Sequence, residues 1–114
     1  MQFVRMYTGE DGKTHFEDIP EQFEMNDITQ RTDTQDTGGI EFVYQPPGHI
    51  IEMHPAPRRQ YVITLQGQAE IVLGDGTSRL FGSGDVVLAE DTTGEGHLTK
   101  VTGNVPRVSA RIHL

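Results

Sequence analysis

Two segments of the sequence, 48–67 and 84–97, hold three of the five histidines together with acid and amide side chains. Glu52 stands two residues before His54, so both side chains share one face if this stretch is a β-strand, because side chains alternate along a strand. His97 ends the second segment. Two histidines and one carboxylate with open coordination positions suit non-haem iron, manganese or zinc. These three residues are therefore candidate metal ligands.

Short strands must position these residues. From residue 40 onward, strand-length segments alternate with Gly, Pro and Asp turns, which is typical of an all-β sandwich or barrel. We predict strands at 40–45, 50–54, 60–65, 68–73, 78–81, 85–89, 97–101 and 107–114. Eight short strands favour a closed or double-sheet barrel. Residues 1–39 are polar and acidic with glycine and proline interruptions, so we predict an N-terminal arm and loop at 1–39 and a barrel at 40–114.

The two polar segments resemble the two sequence motifs of the cupin family. Gly48, His54, Gln60 and Gly67 have the spacing of the first motif, G(x5)HxH(x3,4)E(x6)G. Segment 84–97 is similar to the second motif, G(x5)PxG(x2)H(x3)N. The resemblance covers residues 40–114 and implies an all-β cupin double-stranded β-helix, a jelly-roll barrel preceded by the N-terminal arm. Cupins usually hold one divalent metal in the barrel lumen.

The sequence departs from these motifs at four positions. Ala56 stands at the second histidine and Gln60 at the glutamate of the first motif, while Glu90 stands at the proline and Val101 at the asparagine of the second. An ordinary three-histidine site is therefore excluded unless other residues supply ligands.

The resemblance leaves two possibilities for the lumen. In the first, His54 and His97 hold iron, manganese, nickel, copper or zinc, with Glu52 as a ligand or general base and Gln60 as a weak ligand or orienting group. In the second, the cavity holds no metal, and Gln60 and the histidines hydrogen-bond one another or water. An amide at the glutamate position weakens cation binding, and we carry both possibilities forward.

Further polar residues are predicted to line the lumen and bind a substrate. Alternation places Thr64 on the face of Gln60 and Thr99 on the face of His97. Buried polar groups need partners, which can be each other, water, a metal or a ligand. Arg58, just before Gln60 at the barrel mouth, is placed to clamp a carboxylate or other oxyanion of a small substrate.

The last predicted strand alternates apolar and polar residues. We predict that its apolar face, which includes Ala110 and Ile112, closes the core, and that His113 on the polar face is solvated.

Charge and composition narrow the classes of partner. The 114 residues include 9 Lys and Arg against 17 Asp and Glu, a net charge of −8, which disfavours nucleic acid and anionic membranes. The chain has no cysteine, which excludes disulfides and thiolate chemistry. No stretch has the apolar length of a signal peptide or a membrane span, so we expect a cytoplasmic protein.

The expected function is therefore that of a small cupin-type protein with a small-molecule site in its lumen. It is either a divalent-metal-dependent enzyme of dioxygenase, isomerase or lyase type acting on a small polar or anionic substrate, or a metal-free binding module or sensor for a small anionic or sugar-like ligand. Exposed strand edges and a spare arm predict a homodimer.

Overall fold

A computed structural model describes residues 1–114 as ten β-strands without a helix. The strands are β1 (Phe3–Thr8), β2 (Thr14–Asp18), β3 (Gly39–Gln45), β4 (Ile50–His54), β5 (Gln60–Gln66), β6 (Gln68–Leu73), β7 (Ser78–Phe81), β8 (Val86–Glu90), β9 (His97–Thr102) and β10 (Arg107–His113). All eight predicted strands are present, with ends that differ by at most one residue. These bounds confirm the strand predictions. The strands could be predicted because glycine, proline and aspartate mark the turns between them.

The strands form two sheets. The larger has the order β2-β1-β8-β5-β10-β3, and the smaller has the order β4-β9-β6-β7. The apolar core lies between the sheets and takes side chains from both, namely Val4, Met6, Ala56, Ile71, Leu73, Phe81, Val87 and Ala89. In both sheets, strands that are not consecutive in the chain lie side by side. Two packed sheets connected in this way confirm the predicted all-β jelly-roll class.

The N-terminal region contributes more to the barrel than an arm would. β1 pairs in parallel with β8 and antiparallel with β2. Val4 and Met6 on β1 are buried in the core, and Phe16 on β2 packs against it. Residues 3–18, which the sequence pattern assigns to the arm, therefore complete one edge of the larger sheet.

A strand-free connection, residues 19–38, joins β2 to β3, and we call it the strap. β2 and β3 lie at opposite edges of the larger sheet, so the strap must cross that sheet. Its residues Gln22, Thr32 and Gln35 lie over Tyr61 and Ile63, around a cavity of about 280 Å³. The strap therefore covers part of the sheet's outer face.

The orientation of β10 is opposite to the prediction. Arg107 and Ser109 are buried, with 4% and 0% of their surfaces exposed, so the polar face of the strand points between the sheets. Ile112 lies on the outer face, beneath the strap. His113, expected to be solvated, is only 20% exposed and its Nε2 lies 3.7 Å from Glu41. Ala110 is buried as predicted, at 5% exposure. The prediction of which face points inward was wrong, because the interior next to β10 is polar rather than apolar.

The structure contains no helix with the length and apolar character that crossing a membrane requires.

Candidate functional site

A cavity of about 60 Å³ lies between the two sheets and takes residues from both. We call it the lumen. Its polar lining is His54, Gln60, His97, Thr99, Arg107 and Arg111, and its apolar lining is Met6, Ile51, Pro57, Val62, Ile71, Val87 and Ala89. Because one water occupies about 10–15 Å³ on this measure, the space suits a few waters or one very small ligand.

His54 and His97 are neighbours across the smaller sheet. They are register partners in the pairing of β4 with β9, and their ring centroids are 5.6 Å apart. Gly96 allows this approach, because it adopts a left-handed φ of 76° and a Cβ there would collide with the His54 carbonyl group. The glycine before His97 therefore brings the two imidazoles together.

Both imidazoles are held by hydrogen bonds at Nδ1. His97 Nδ1 lies 2.6 Å from Asp91 Oδ2, and His54 Nδ1 lies 2.7 Å from the carbonyl oxygen of Glu52. A carboxylate or carbonyl oxygen only accepts, so each Nδ1 carries the proton and donates. In the neutral rings, each Nε2 therefore keeps a lone pair as an acceptor or ligand atom.

Asp91 holds the imidazole of His97, a contact that the sequence did not indicate. Its side chain is fully buried behind His97 and also accepts a hydrogen bond from Thr14 Oγ1 at 2.8 Å. Its Oδ1 has no hydrogen-bond partner. Thr14 lies on β2, 77 positions away in the sequence, so no local motif could reveal this arrangement.

Glu52 does not reach the lumen, and the prediction that it faces inward was wrong. The side chain is exposed, while its neighbour Ile51 lines the lumen. The register of β4 against β9 shifts between Ile51 and His54. This irregularity breaks the alternation, so that Ile51 and His54, three positions apart, share the inner face.

The other residues predicted for the lumen are all buried. Gln60 and Thr99 line it, as alternation predicts. Thr64 is buried on the same strand as Gln60 but lies outside the lining, where its hydroxyl is 3.5 Å from Nη2 of Arg107. The structure therefore brings together His54, Gln60, His97 and Thr99 of the predicted set.

Arg58, the predicted anion clamp, lies outside the lumen. It is exposed and its Nη1 lies 3.2 Å from Nδ1 of His113. The neighbouring Arg59 is also exposed and pairs with Glu90, which in turn binds Arg5 on β1. Burial raises the pKa of Glu90, but the hydrogen bonds from Arg59 and Arg5 outweigh that effect and the pKa lies below its usual value. Neither Arg58 nor Arg59 is among the residues that line the lumen.

Two other arginines, Arg107 and Arg111 on β10, line the lumen instead. Neither forms a salt bridge, and Nε of each is buried without a hydrogen-bond partner. Arg107 contacts only the neutral groups of Gln45 and Thr64, at 3.2 and 3.5 Å. Burial, followed by the charge of Arg111, lowers the pKa of Arg107 to about 10. The lumen therefore holds two guanidinium groups without a salt-bridge partner.

The donor set does not fit a resident divalent metal. His54, His97 and the amide of Gln60 line the lumen, but no group of three histidine or acid side chains comes together. Ala56 is buried at the position of the missing motif histidine, and Glu52 points away. Two guanidinium groups in the same cavity repel a cation and leave it without a carboxylate to neutralise its charge.

Several solved structures share this fold. A double-stranded β-helix domain protein from Klebsiella pneumoniae is 23% identical, with a TM-score of 0.52, over 64% of this chain and 63% of that one. A cupin 2 conserved barrel domain protein from Salinispora arenicola is 24% identical, with a TM-score of 0.51, over 66% of this chain and 61% of that one.

A conserved protein of unknown function from Streptococcus pyogenes is 16% identical, with a TM-score of 0.50, over 82% and 93% of the two chains. The match spans less than two thirds of the length of the Klebsiella and Salinispora chains. Neither a protein-family model nor a curated protein matches the sequence. At these identities, the likeness concerns the fold.

Proposed function

Because the chain folds as a small cupin-type double-stranded β-helix, we propose that it is a metal-free binding module whose lumen takes a small anion. The observation that carries this proposal is the pair formed by Arg107 and Arg111, two lumen cations without an acidic partner. A buried charge is expensive unless it is paired, so an unpaired one inside a chain with 17 acidic residues indicates a partner supplied from outside.

The other lining groups indicate the kind of anion. Guanidinium groups bind carboxylates through two parallel hydrogen bonds. Nε2 of His54 and of His97 are acceptors, which suit a hydroxyl group on the ligand, and the Thr99 hydroxyl can donate or accept. The small cavity limits the ligand to a few heavy atoms. A short hydroxycarboxylate such as lactate or glycolate has the matching charge, size and polarity.

This chemistry favours the metal-free alternative over a metal-dependent dioxygenase, isomerase or lyase. The metal-dependent reading needs a third strong ligand beside His54 and His97, and Gln60 is a neutral and weak one. An anion needs no such ligand, because the two arginines neutralise its charge directly. The protein then acts as a carrier or sensor for a small carboxylate.

The test compares an anion with its neutral counterpart. Lactamide has an amide in place of the carboxylate of lactate and is otherwise the same molecule. Isothermal titration calorimetry should detect binding of lactate and no binding of lactamide. Arg107→Met and Arg111→Met should each lower the affinity for lactate at least tenfold, because each removes one charge-assisted contact. Arg58→Met, outside the lumen, is the matched control and should leave affinity unchanged. Equal binding of lactamide, or full affinity in the two lumen variants, would contradict the proposal.

A further inference from the structure

The cavity beneath the strap is larger than the lumen and is separate from it. Its volume is about 280 Å³, against about 60 Å³ for the lumen, and the two cavities share no lining residue. We call it the strap cavity. The larger sheet supplies its floor, and the strap supplies its roof. The floor is Phe3, Tyr61, Ile63, Val86 and Ile112, and the roof is Gln22, Thr32 and Gln35.

The floor is a continuous apolar surface over four neighbouring strands. Phe3, Val86 and Ile63 are register partners in turn across β1, β8 and β5. Tyr61 and Ile112 form the next row, across β5 and β10. All five residues are half-buried rather than buried. The strap therefore crosses over this surface and leaves part of it open.

Two aromatic rings in the floor favour a flat aromatic ligand. Phe3 and Tyr61 meet edge to face, with ring centroids 6.1 Å apart and an interplanar angle of 85°. A further ring can pack against this pair in the edge-to-face or offset arrangement that aromatic groups prefer. An apolar protein cavity of about 150 Å³ takes up benzene. The strap cavity, at about 280 Å³, therefore has room for a bicyclic ring.

The lining holds no charged residue, and this sets the charge of the ligand. Charged residues make up 23% of the chain, and Arg31, Asp33 and Asp36 stand directly beside Thr32 and Gln35 in the strap. These three charged residues are exposed, and none of them lines the cavity. A charged ligand would lose hydration here without gaining an ion pair. The cavity therefore suits a neutral molecule.

The roof supplies hydrogen-bonding groups that the protein itself does not use. Nε2 of Gln22 donates to the carbonyl oxygen of Pro20 at 2.6 Å, which leaves Oε1 of Gln22 to accept. The side chains of Thr32 and Gln35 and the hydroxyl of Tyr61 form no hydrogen bond within the protein. A ligand with an N–H or O–H group at one edge can donate to these oxygens while its ring lies on the floor.

We propose that the strap cavity binds a small neutral aromatic molecule of about the size of indole, with its ring on the apolar floor and a polar N–H or O–H edge under the strap. Because the strap bridges the floor, a folded protein cannot pack flat against it, whereas a small molecule fits beneath. This site is independent of the anion site in the lumen, since the larger sheet lies between the two cavities.

Indole is the probe, and a fluorescence titration measures its binding. The chain has no tryptophan, so excitation at a wavelength that tyrosine does not absorb reports on the added indole alone. We expect one indole bound per chain. Indole-3-carboxylate carries a negative charge on the same ring and should bind at least tenfold more weakly, because the lining offers it no cation. No binding of indole, or equal binding of the carboxylate, would overturn the proposal.

Two variants in the strap test where indole binds. Thr32→Phe places a ring in the roof of the cavity and should lower the affinity for indole at least tenfold. Thr34→Phe is the matched control, because Thr34 is exposed in the same strap and does not line the cavity. It should leave the affinity unchanged. Both positions are exposed in a strand-free segment, so neither variant should unfold the chain. Equal affinities in the two variants would contradict the proposed site.

NMR separates the strap cavity from the other exposed apolar surfaces. The ring protons of indole should show nuclear Overhauser effects to Phe3, Ile63 and Val86. Phe42, which is 69% exposed on the edge strand β3, is the main competing surface, and contacts of indole to Phe42 alone would overturn the proposal. So would an affinity that falls as the protein concentration rises, because a second copy would then cover the cavity. Lactate should bind equally with and without indole, so the two sites are tested separately.

Discussion

Arg107 and Arg111 face one cavity from the same strand, four residues apart, and neither forms a salt bridge with a carboxylate. Four other cations, Arg5, Lys13, Arg59 and Arg79, do form salt bridges. Arg5, Arg59 and Arg79 all bind acidic side chains at the protein surface. Asp91, behind His97, is the only buried acidic side chain, and the two lumen guanidinium groups stay without a salt bridge. Guanidinium groups that are left without a salt bridge suit a site for an anion.

Arg107→Met should stabilise the ligand-free protein. Burial lowers the pKa of Arg107 to about 10, so keeping the guanidinium charged in the lumen costs on the order of 3 kcal/mol. The lost contacts to Gln45 and Thr64 offset part of this, so we expect a gain of about 1–2 kcal/mol in the free energy of unfolding. Urea denaturation without ligand measures it.

The surface variant Arg58→Met is the control for this stability change and should lie within about 0.5 kcal/mol of the wild type. If Arg107→Met is more stable and no longer binds lactate, the charge of Arg107 lowers stability and is needed for binding. A clear loss of stability would instead identify Arg107 as a structural link between Gln45 and Thr64.

The affinity for lactate should fall as the pH rises through about 10. Binding needs the charged guanidinium, and Arg107 in the free protein loses its proton near that pH. Between about pH 8 and pH 10 the affinity should be constant, and above about pH 10 it should drop about tenfold per pH unit while the fold is intact. Calorimetry at several pH values, with circular dichroism as a check on folding, follows this.

Arg107→Lys sharpens this pH test. A buried lysine has a lower pKa than a buried arginine, so the fall in affinity should begin at lower pH in this variant. An affinity that does not change between pH 8 and 11 in either protein would contradict the role of Arg107.

Elemental analysis should find well below one equivalent of iron, manganese, nickel, copper or zinc per untagged chain, because the lumen lacks a third strong ligand. Chelator should leave the melting temperature unchanged. His97→Ala should cost about 3 kcal/mol, because it removes the hydrogen-bond donor to buried Asp91, whereas His54→Ala should cost less. A stoichiometric metal that is lost in both His54→Ala and His97→Ala would instead support the metal-dependent enzyme.

The sequence predicted part of the lumen lining because strand alternation holds where strands are regular. Gln60, His97 and Thr99 were placed correctly on this basis. Glu52 was placed incorrectly, because the register shift in β4 is a backbone irregularity that no residue type indicates.

The two lumen arginines were missed for a different physical reason. The pattern of β10 predicts two faces but not which of them is inside, and the usual assumption places apolar side chains inward. The outer face here is apolar instead, where the strap covers Ile112. A strand that combines an arginine pair with an apolar opposite face is compatible with either orientation, so only the sheet order and the position of the strap decide between them.

Gly96→Ala should disrupt the site without touching any polar side chain. Gly96 has a φ of 76°, which is costly for alanine, and a Cβ there would meet the backbone of His54 and Pro55. The backbone must move, so we expect a loss of about 3 kcal/mol in stability and weakened lactate binding, because His54 and His97 separate. Gly76→Ala is the matched control. It has a similar φ of 88° with nothing within 4 Å of the added Cβ, so it measures backbone strain alone. Equal destabilisation by both variants would show that the close approach to His54 contributes nothing.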